Sequence, residues 1–213
     1  MIKIHHLGHS QSERILWLCE ELGLPYELVK HVRDPRTRLS PPSLKALHPL
    51  GAAPLVETDG RMLAESAAIV EFVLARHGGG RLRHASAHPQ FADYLYWFHF
   101  ANGNLQPAMM RALTIDRSGC APNHPLRAST RERLDKLFAL LDERLADNAW
   151  LAGDEFTAAD VMTVFSLTTM TIFHPVDLTP WPSIVAYLRR IGQRPAYRRA
   201  MAKGDPDLRF LPA

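Results

Sequence analysis

Apolar and polar positions alternate with two different periods near the start of the chain. Ile2 to Leu7 reads as a strand, with Ile2 and Ile4 on one face. From Ser12 to Leu22 the apolar residues Ile15, Leu18, Cys19 and Leu22 recur at helical spacing, and Gly23 stands where such a helix would stop. Ser10 and Glu13 have the spacing of a capping box, which predicts that Ser10 sits at the first N–H groups of this helix. Residues 26–29 read as a second strand. A β-α-β unit of this length implies a parallel pair joined by a right-handed crossover. The stretch from His31 to His48 is polar and Pro-rich, with room for one short helix near 43–47.

Gly51 to Ser66 packs several signals together. Leu55 to Thr58 and residues 61–64 read as strands around Asp59-Gly60, a dipeptide that tolerates the positive φ angles of a type I′ hairpin turn. Pro54 precedes the first of these strands, where a missing N–H costs the ladder nothing. Ser66 opens the run AAIVEFVLA, so a buried helix with Ser66 as N-cap is predicted, ending at Gly78-Gly79-Gly80. The order β-α-β-(short helix)-β-β-α predicts a small α/β domain with a mixed four-stranded sheet over residues 1–80. Residues 81–88 read as a linker. From 89 to 213 no strand pattern recurs, and helices are predicted at about 89–115, 127–147, 158–173, 182–192 and 195–202. Leu134, Leu137, Phe138, Leu141 and Leu145 trace one helical stripe. Thr157 and Asp160 form a second capping-box pattern. The fold class is thus α/β followed by an all-α helical bundle.

Composition narrows the function classes. An apolar content of 46% and a charged content of 22% describe an ordinary globular protein, and a net charge of +3 is too small to argue for a nucleic-acid partner. The Arg-rich end, residues 189–203, reads as a solvated helix face. Cys19 lies on an apolar stripe and Cys120 in a loop pattern, which is no disulfide framework. No apolar signal core opens the chain and no run reaches the roughly 20 residues of a membrane span, so a cytoplasmic location is expected. His5 and His6 alternate to opposite faces of a strand, and no neighbouring Cys or carboxylate completes a ligand set with them or His9, so no metal is expected. The aromatic cluster Tyr94, Tyr96, Trp97, Phe98 and Phe100, with Met109 and Met110, covers more than one helix face and suits both bundle core and an adaptable apolar pocket.

The runs LGLPYELV (22–29), HPLGAAPLVETDG (48–60), LAESAAIVEFVLARHG (63–78), LAGDEFTAADV (151–161) and WPSIVAYLRRIGQRPAYRRA (181–200) together resemble the landmarks of cytosolic glutathione transferases. The likeness is to a bacterial, Ser-type (theta-like) member with a thioredoxin-like first domain. It implies a homodimer that binds glutathione and conjugates its sulfur to small apolar electrophiles, with no metal or redox cofactor. Glutathione-dependent peroxidase or isomerase chemistry at the same site, or a non-catalytic glutathione-binding module, are the alternatives. The isomerase-type S-S-C-S pattern is absent.

By matching residues, Pro54 takes the place of the family's cis-proline, and the Ala53 backbone would pair with the cysteinyl part of glutathione like an added strand. Glu65 and Ser66 match the acidic-Ser pair that holds the γ-glutamyl head, with the helix N–H groups and the Ser66 hydroxyl on the carboxylate and Glu65 on the ammonium. Ser10 or, alternatively, Ser12 would donate a hydrogen bond to the glutathione thiolate, in a sequence (SQSER) similar to the S-x-x-x-R start of Ser-type members. No Tyr ends the first strand and no Cys lies at its turn. Ala52 stands where the family often has a Lys for the glycyl carboxylate, which leaves Arg38 or Lys45 as substitutes. His48 replaces the usual Asn before Pro49.

Overall fold

The computed structural model of the chain describes residues 1–208; residues 209–213, the end of the predicted helical domain, lie outside the described residues. The first seven elements are β1 (Ile2–Leu7), α1 (Ser12–Leu22), β2 (Tyr26–His31), α2 (Pro42–Lys45), β3 (Leu55–Thr58), β4 (Arg61–Leu63) and α3 (Ser66–His77). They form a four-stranded sheet in the order β2-β1-β3-β4. The β-α-β crossover makes β1 and β2 parallel, with Ile2 opposite Tyr26, while β1–β3 and β3–β4 are antiparallel. Asp59 and Gly60 close the hairpin with φ of 50° and 69°, the two positive values a type I′ turn demands. Gly23 ends α1 at φ 64°, as the spacing predicts. Helix α1 buries Ile15, Leu18 and Cys19, and α3 buries Ile69, Val70 and Val73, so the two share one core. Burial pushes the Cys19 thiol up to about 12, and the neighbouring Glu20 charge pushes the same way, so this thiol is inert. His5 and His6 do point to opposite faces. His5 bridges His31 (3.1 Å) and the carboxylate of Glu57 (2.8 Å), and His6 meets Ser12 (2.9 Å).

The chain divides into two compact units, Arg83–Ile191 forming the second and the described residues from Gly192 onward joining Met1–Leu82 in the first. The last helix, here called α9 (Pro195–Gly204), therefore folds with the sheet domain. It packs along α1: the Trp17 and Tyr197 rings meet edge to face at 4.9 Å. The Arg-rich end is a solvated face, with Arg189, Arg198, Arg199 and Lys203 exposed, and part of it also pairs with acids of α1. Arg194 takes both oxygens of Glu21 (2.7 and 2.8 Å), while Arg199 (2.8 Å) and Lys203 (2.6 Å) converge on Glu20. Tyr26 donates to the same Glu20 carboxylate. Burial alone would raise the Glu20 pKa; the bonds from Lys203, Tyr26 and Arg199 outweigh it and hold the pKa at about 2. The basic residues serve as charge-assisted clamps on two acids of α1.

In the second unit, α4 (Phe91–Phe100) passes through a single π turn (Ala101–Leu105) into α5 (Gln106–Arg117). One continuous helix was expected over 89–115. Pro107 explains the change: a proline has no N–H for the carbonyl four residues back and its ring crowds that carbonyl, here of Gly103, inside the π turn. The remaining elements are α6 (Pro125–Asp147), α7 (Ala158–Leu167), a 3₁₀ turn (Thr169–Ile172) and α8 (Pro182–Gln193). The helix expected over 158–173 stops early, where Thr163 and Thr168 hydroxyls bond back to the carbonyls of Ala159 (2.9 Å) and Val164 (2.8 Å) and compete with the regular ladder. The capping box at the start of α7 forms as predicted. Thr157 accepts from the Ala159 N–H, and Asp160 accepts from the Thr157 N–H at 2.9 Å.

Candidate functional site

The turn between β1 and α1 carries the two candidate hydroxyls. Helix α1 begins at Ser12 with Gln11 at its N-cap, one residue later than a Ser10–Glu13 capping box would set it. The Ser10 hydroxyl still accepts the Ser12 N–H at 3.3 Å, and the two hydroxyl oxygens lie 2.7 Å apart. Ser12 is wholly buried: it accepts the Leu7 N–H (3.2 Å) and meets His6 Nδ1 (2.9 Å). Ser10, at 8% exposure, is the member of the pair that reaches the surface. Arg33 pins this turn by donating to the carbonyls of Gly8 (2.9 Å) and His9 (3.1 Å), and its third branch reaches the Arg38 carbonyl (3.0 Å). Burial lowers the pKa of His9, and the charges of Arg38 and Arg33 lower it further against the pull of Asp205. An electropositive turn at the head of a helix is the setting that favours a thiolate over a thiol.

Helix α3 starts beside this turn. Its first residue is Ser66, and Glu65 occupies the N-cap with φ 69° and ψ 111°, making no side-chain cap bond. The expectation that Ser66 is the N-cap is therefore corrected. Its hydroxyl faces α1, donating to Gln11 Oε1 (3.1 Å) and accepting from Arg14 Nη1 (3.0 Å), which also donates to Gln11 Oε1 (2.7 Å). Arg14 is fully buried. Burial lowers its pKa to about 9, opposed by Glu13, so the guanidinium stays charged at neutral pH behind the α3 N-terminus. A helix N-terminus backed by a buried cation suits a carboxylate. Glu65 is exposed, free to meet a cationic group next to that carboxylate.

The Ala53–Pro54 peptide bond is cis. Ala53 packs on the cluster of Leu7, Leu44 and Leu55 with Leu47, Met62 and Ala64, which ties it to the ends of β1, α2 and β4. Lys45 folds against Gly51: a Cβ there would stand 3.0 Å from the Lys45 Cγ, and φ of 56° also suits glycine. Lys45 thus flanks Gly51, while the Arg38 charge acts on His9 in the β1–α1 turn. His48 caps its own turn, accepting the Leu50 N–H at 3.2 Å. The structure joins Ser10 to Ser12 by one set of hydrogen bonds and Ser66 to Gln11 and Arg14 by another, with Gln11 next in the chain to Ser10. The sequence reading assigned no role to Gln11 or Arg33. Arg14 had a signal, the S-x-x-x-R spacing; Arg33 had none, since its partners are 24 and 25 residues away.

Comparison with known proteins gives the family. The family model for the glutathione S-transferase N-terminal domain matches residues 10–76, and that for the C-terminal domain matches residues 100–195. The chain is 31% identical to glutathione S-transferase 3 of Schizosaccharomyces pombe, over 97% of this chain and 89% of the relative. It is 30% identical to GstB of Escherichia coli K12, over 90% and 93%. A solved glutathione S-transferase from Actinobacillus pleuropneumoniae superposes with a TM-score of 0.88 at 32% identity, covering 96% of this chain and 93% of that one. With its sheet domain, its helical unit and its two adjoining helix N-termini, the chain belongs to the glutathione S-transferase family.

Proposed function

We propose that this protein is a Ser-type glutathione transferase that joins the sulfur of glutathione to small apolar electrophiles. The observation that carries the reading is the bridge of Gln11 and Arg14 between Ser66 at the head of α3 and the turn bearing Ser10. One helix N-terminus receives the γ-glutamyl carboxylate, with Glu65 on the ammonium, and the other receives the sulfur. The Ala53 backbone holds the cysteinyl segment between them, and Arg38 or Lys45 takes the glycyl carboxylate. The Ser10 hydroxyl donates to the thiolate and Ser12 positions it. The thiolate attacks the electrophilic carbon, a carbon–sulfur bond forms, and the leaving group departs with its electron pair; no metal or redox cofactor enters. The protein works as a cytoplasmic homodimer.

The test is a conjugation assay with an aryl halide beside glutathione calorimetry. A hydrogen bond to a charged acceptor is worth about 1.5–3 kcal/mol, so Ser10→Ala should lower kcat/KM about ten- to a hundredfold while the glutathione Kd moves less than about threefold. Full activity in Ser10→Ala would remove the assignment. Tight glutathione binding without turnover on aryl halides or peroxides would make the protein a binding module.

A further inference from the structure

The hydroxyl pair does not end at Ser12. His6 Nδ1 lies 2.9 Å from Ser12 Oγ, and on the other side of the ring His6 Nε2 lies 3.2 Å from Asp205 Oδ2, close enough for an ion pair. His6 is 1% exposed and Asp205 7%. Neither His6 Nε2 nor Asp205 Oδ2 makes an aligned hydrogen bond within the described residues, so their 3.2 Å approach is a charge contact. Two buried polar atoms in that position cost free energy unless opposite charge offsets it, and a hydrogen on Nε2 supplies that offset. Asp205 follows α9 in the chain. Its other oxygen accepts the His9 N–H at 3.1 Å, in the turn just before Ser10. Burial would raise the Asp205 pKa, but the bonds and charges of His6 and His9 outweigh it and lower the pKa, which keeps the carboxylate ionised.

A count of hydrogens decides what the chain Ser10–Ser12–His6–Asp205 can do. Ser12 already accepts the Leu7 N–H, and the Leu7 carbonyl at 3.4 Å is a more distant acceptor for its hydrogen than Ser10 (2.7 Å) or His6 Nδ1 (2.9 Å). If His6 Nδ1 is bare, Ser12 gives its hydrogen to that nitrogen and its second lone pair draws the hydrogen of Ser10 inward. Ser10 then has nothing to offer a thiolate. If Nδ1 carries a hydrogen, it donates to Ser12, Ser12 donates to Ser10, and the Ser10 hydrogen is left for the surface. A ring with a hydrogen on each nitrogen, Nε2 toward Asp205 and Nδ1 toward Ser12, is the arrangement that leaves the Ser10 hydrogen for the surface.

We infer that His6 and Asp205 are positioning residues: their buried ion pair sets the direction of the hydroxyl chain so that Ser10 aims its hydrogen at the glutathione sulfur. The inference rests on Ser10 being the thiolate donor. The charged and titratable groups around His6 are Asp205, His9 in the turn and His31 on β2. Asp205 is the one opposite charge among them. Burial lowers the pKa of both histidines, so Asp205 is the charge that faces the His6 ring.

The experiment reads the apparent pKa of glutathione's thiol in the binary complex, from thiolate absorbance in the ultraviolet. Asp205→Asn keeps an oxygen for the His9 N–H while removing the charge. Ser12→Ala cuts the chain at its middle, for the case in which Asp205→Asn fails to fold. Each should raise the bound thiol's pKa by about one pH unit, the size expected for one hydrogen bond to a charged acceptor. Neither should add to the rise already produced by Ser10→Ala. A Ser10→Ala protein with a raised thiol pKa, beside folded Asp205→Asn and Ser12→Ala proteins with none, overturns this inference alone. An equal rise from Asp205→Asn in the Ser10→Ala background overturns it too, because the effect would then bypass Ser10. A Ser10→Ala protein whose thiol titrates like wild type overturns the donor assignment and the inference with it.

Discussion

Two helices of this protein begin in opposite ways. At the start of α7, Thr157 and Asp160 cap one another, and the second oxygen of Asp160 accepts the Leu151 N–H (3.0 Å) and the Tyr187 hydroxyl (3.1 Å). Asp160 is wholly buried. At the start of α3 the N-cap residue is Glu65, in a positive-φ conformation with no side-chain cap bond, and the Ser66 hydroxyl is spent on α1. Both sequences look like ordinary N-caps. The difference lies in where the polar groups point: one terminus is closed by its own side chains, whereas the other has a buried arginine behind it and an exposed acid in front. A helix start of the first kind holds the fold, and one of the second kind is open to a ligand.

If that contrast is right, the two termini respond to substitution in different currencies. The largest effect belongs to Asp160→Ala, which strands the Leu151 N–H, the Thr157 N–H and the Tyr187 hydroxyl in a buried place. At about 1–3 kcal/mol for each orphaned group, with some relaxation, a loss of about 4 kcal/mol in denaturant unfolding is expected. The glutathione Kd of the folded fraction should not move; a parallel loss of affinity would break the comparison. Glu65→Ala should do the reverse, weakening glutathione binding by about 2 kcal/mol, or about thirtyfold in calorimetry, with a stability change within about 0.5 kcal/mol. Unaltered affinity would remove Glu65 from the site. Thr157→Ala, which loses one cap bond, should cost about 1 kcal/mol of stability and nothing in binding.

The contrast also sorts what could be read from the sequence. The Asp59-Gly60 hairpin, the Gly23 stop and the Thr157–Asp160 box were legible because each is completed within a few residues, and all three appear where expected. The parallel β1–β2 pair was legible because a crossover of that length leaves little choice. Ser66 was misread as a cap because its real partners, Gln11 and Arg14, come from 55 and 52 residues earlier. The ion pairs of the basic end were not legible for the same reason, since Glu20 and Glu21 lie 173 to 183 residues from their clamps. Asp205, 196 residues from the turn it joins, carries no local signal at all. Local chemistry is visible in a sequence; the placing of a buried charge beside a distant helix start is a property of the packed fold.

The smallest effect is the sharpest test of the open terminus, because it has the unusual sign. Glu65 sits at φ 69° and ψ 111°, where a side chain with a Cβ is strained. Such strain costs on the order of 1–3 kcal/mol and persists where a site needs the geometry. Glu65→Gly removes the Cβ and the strain, and loses about 1 kcal/mol to the greater freedom of glycine in the unfolded chain. A net gain of about 1 kcal/mol in stability is therefore expected, together with the same loss of glutathione affinity as Glu65→Ala. Glu65→Ala keeps the Cβ and should show no gain, so the difference between the two variants isolates the backbone. A glycine variant no more stable than the alanine one would mean that Glu65 adopts its conformation without cost, and α3 would then be open only for want of a better cap.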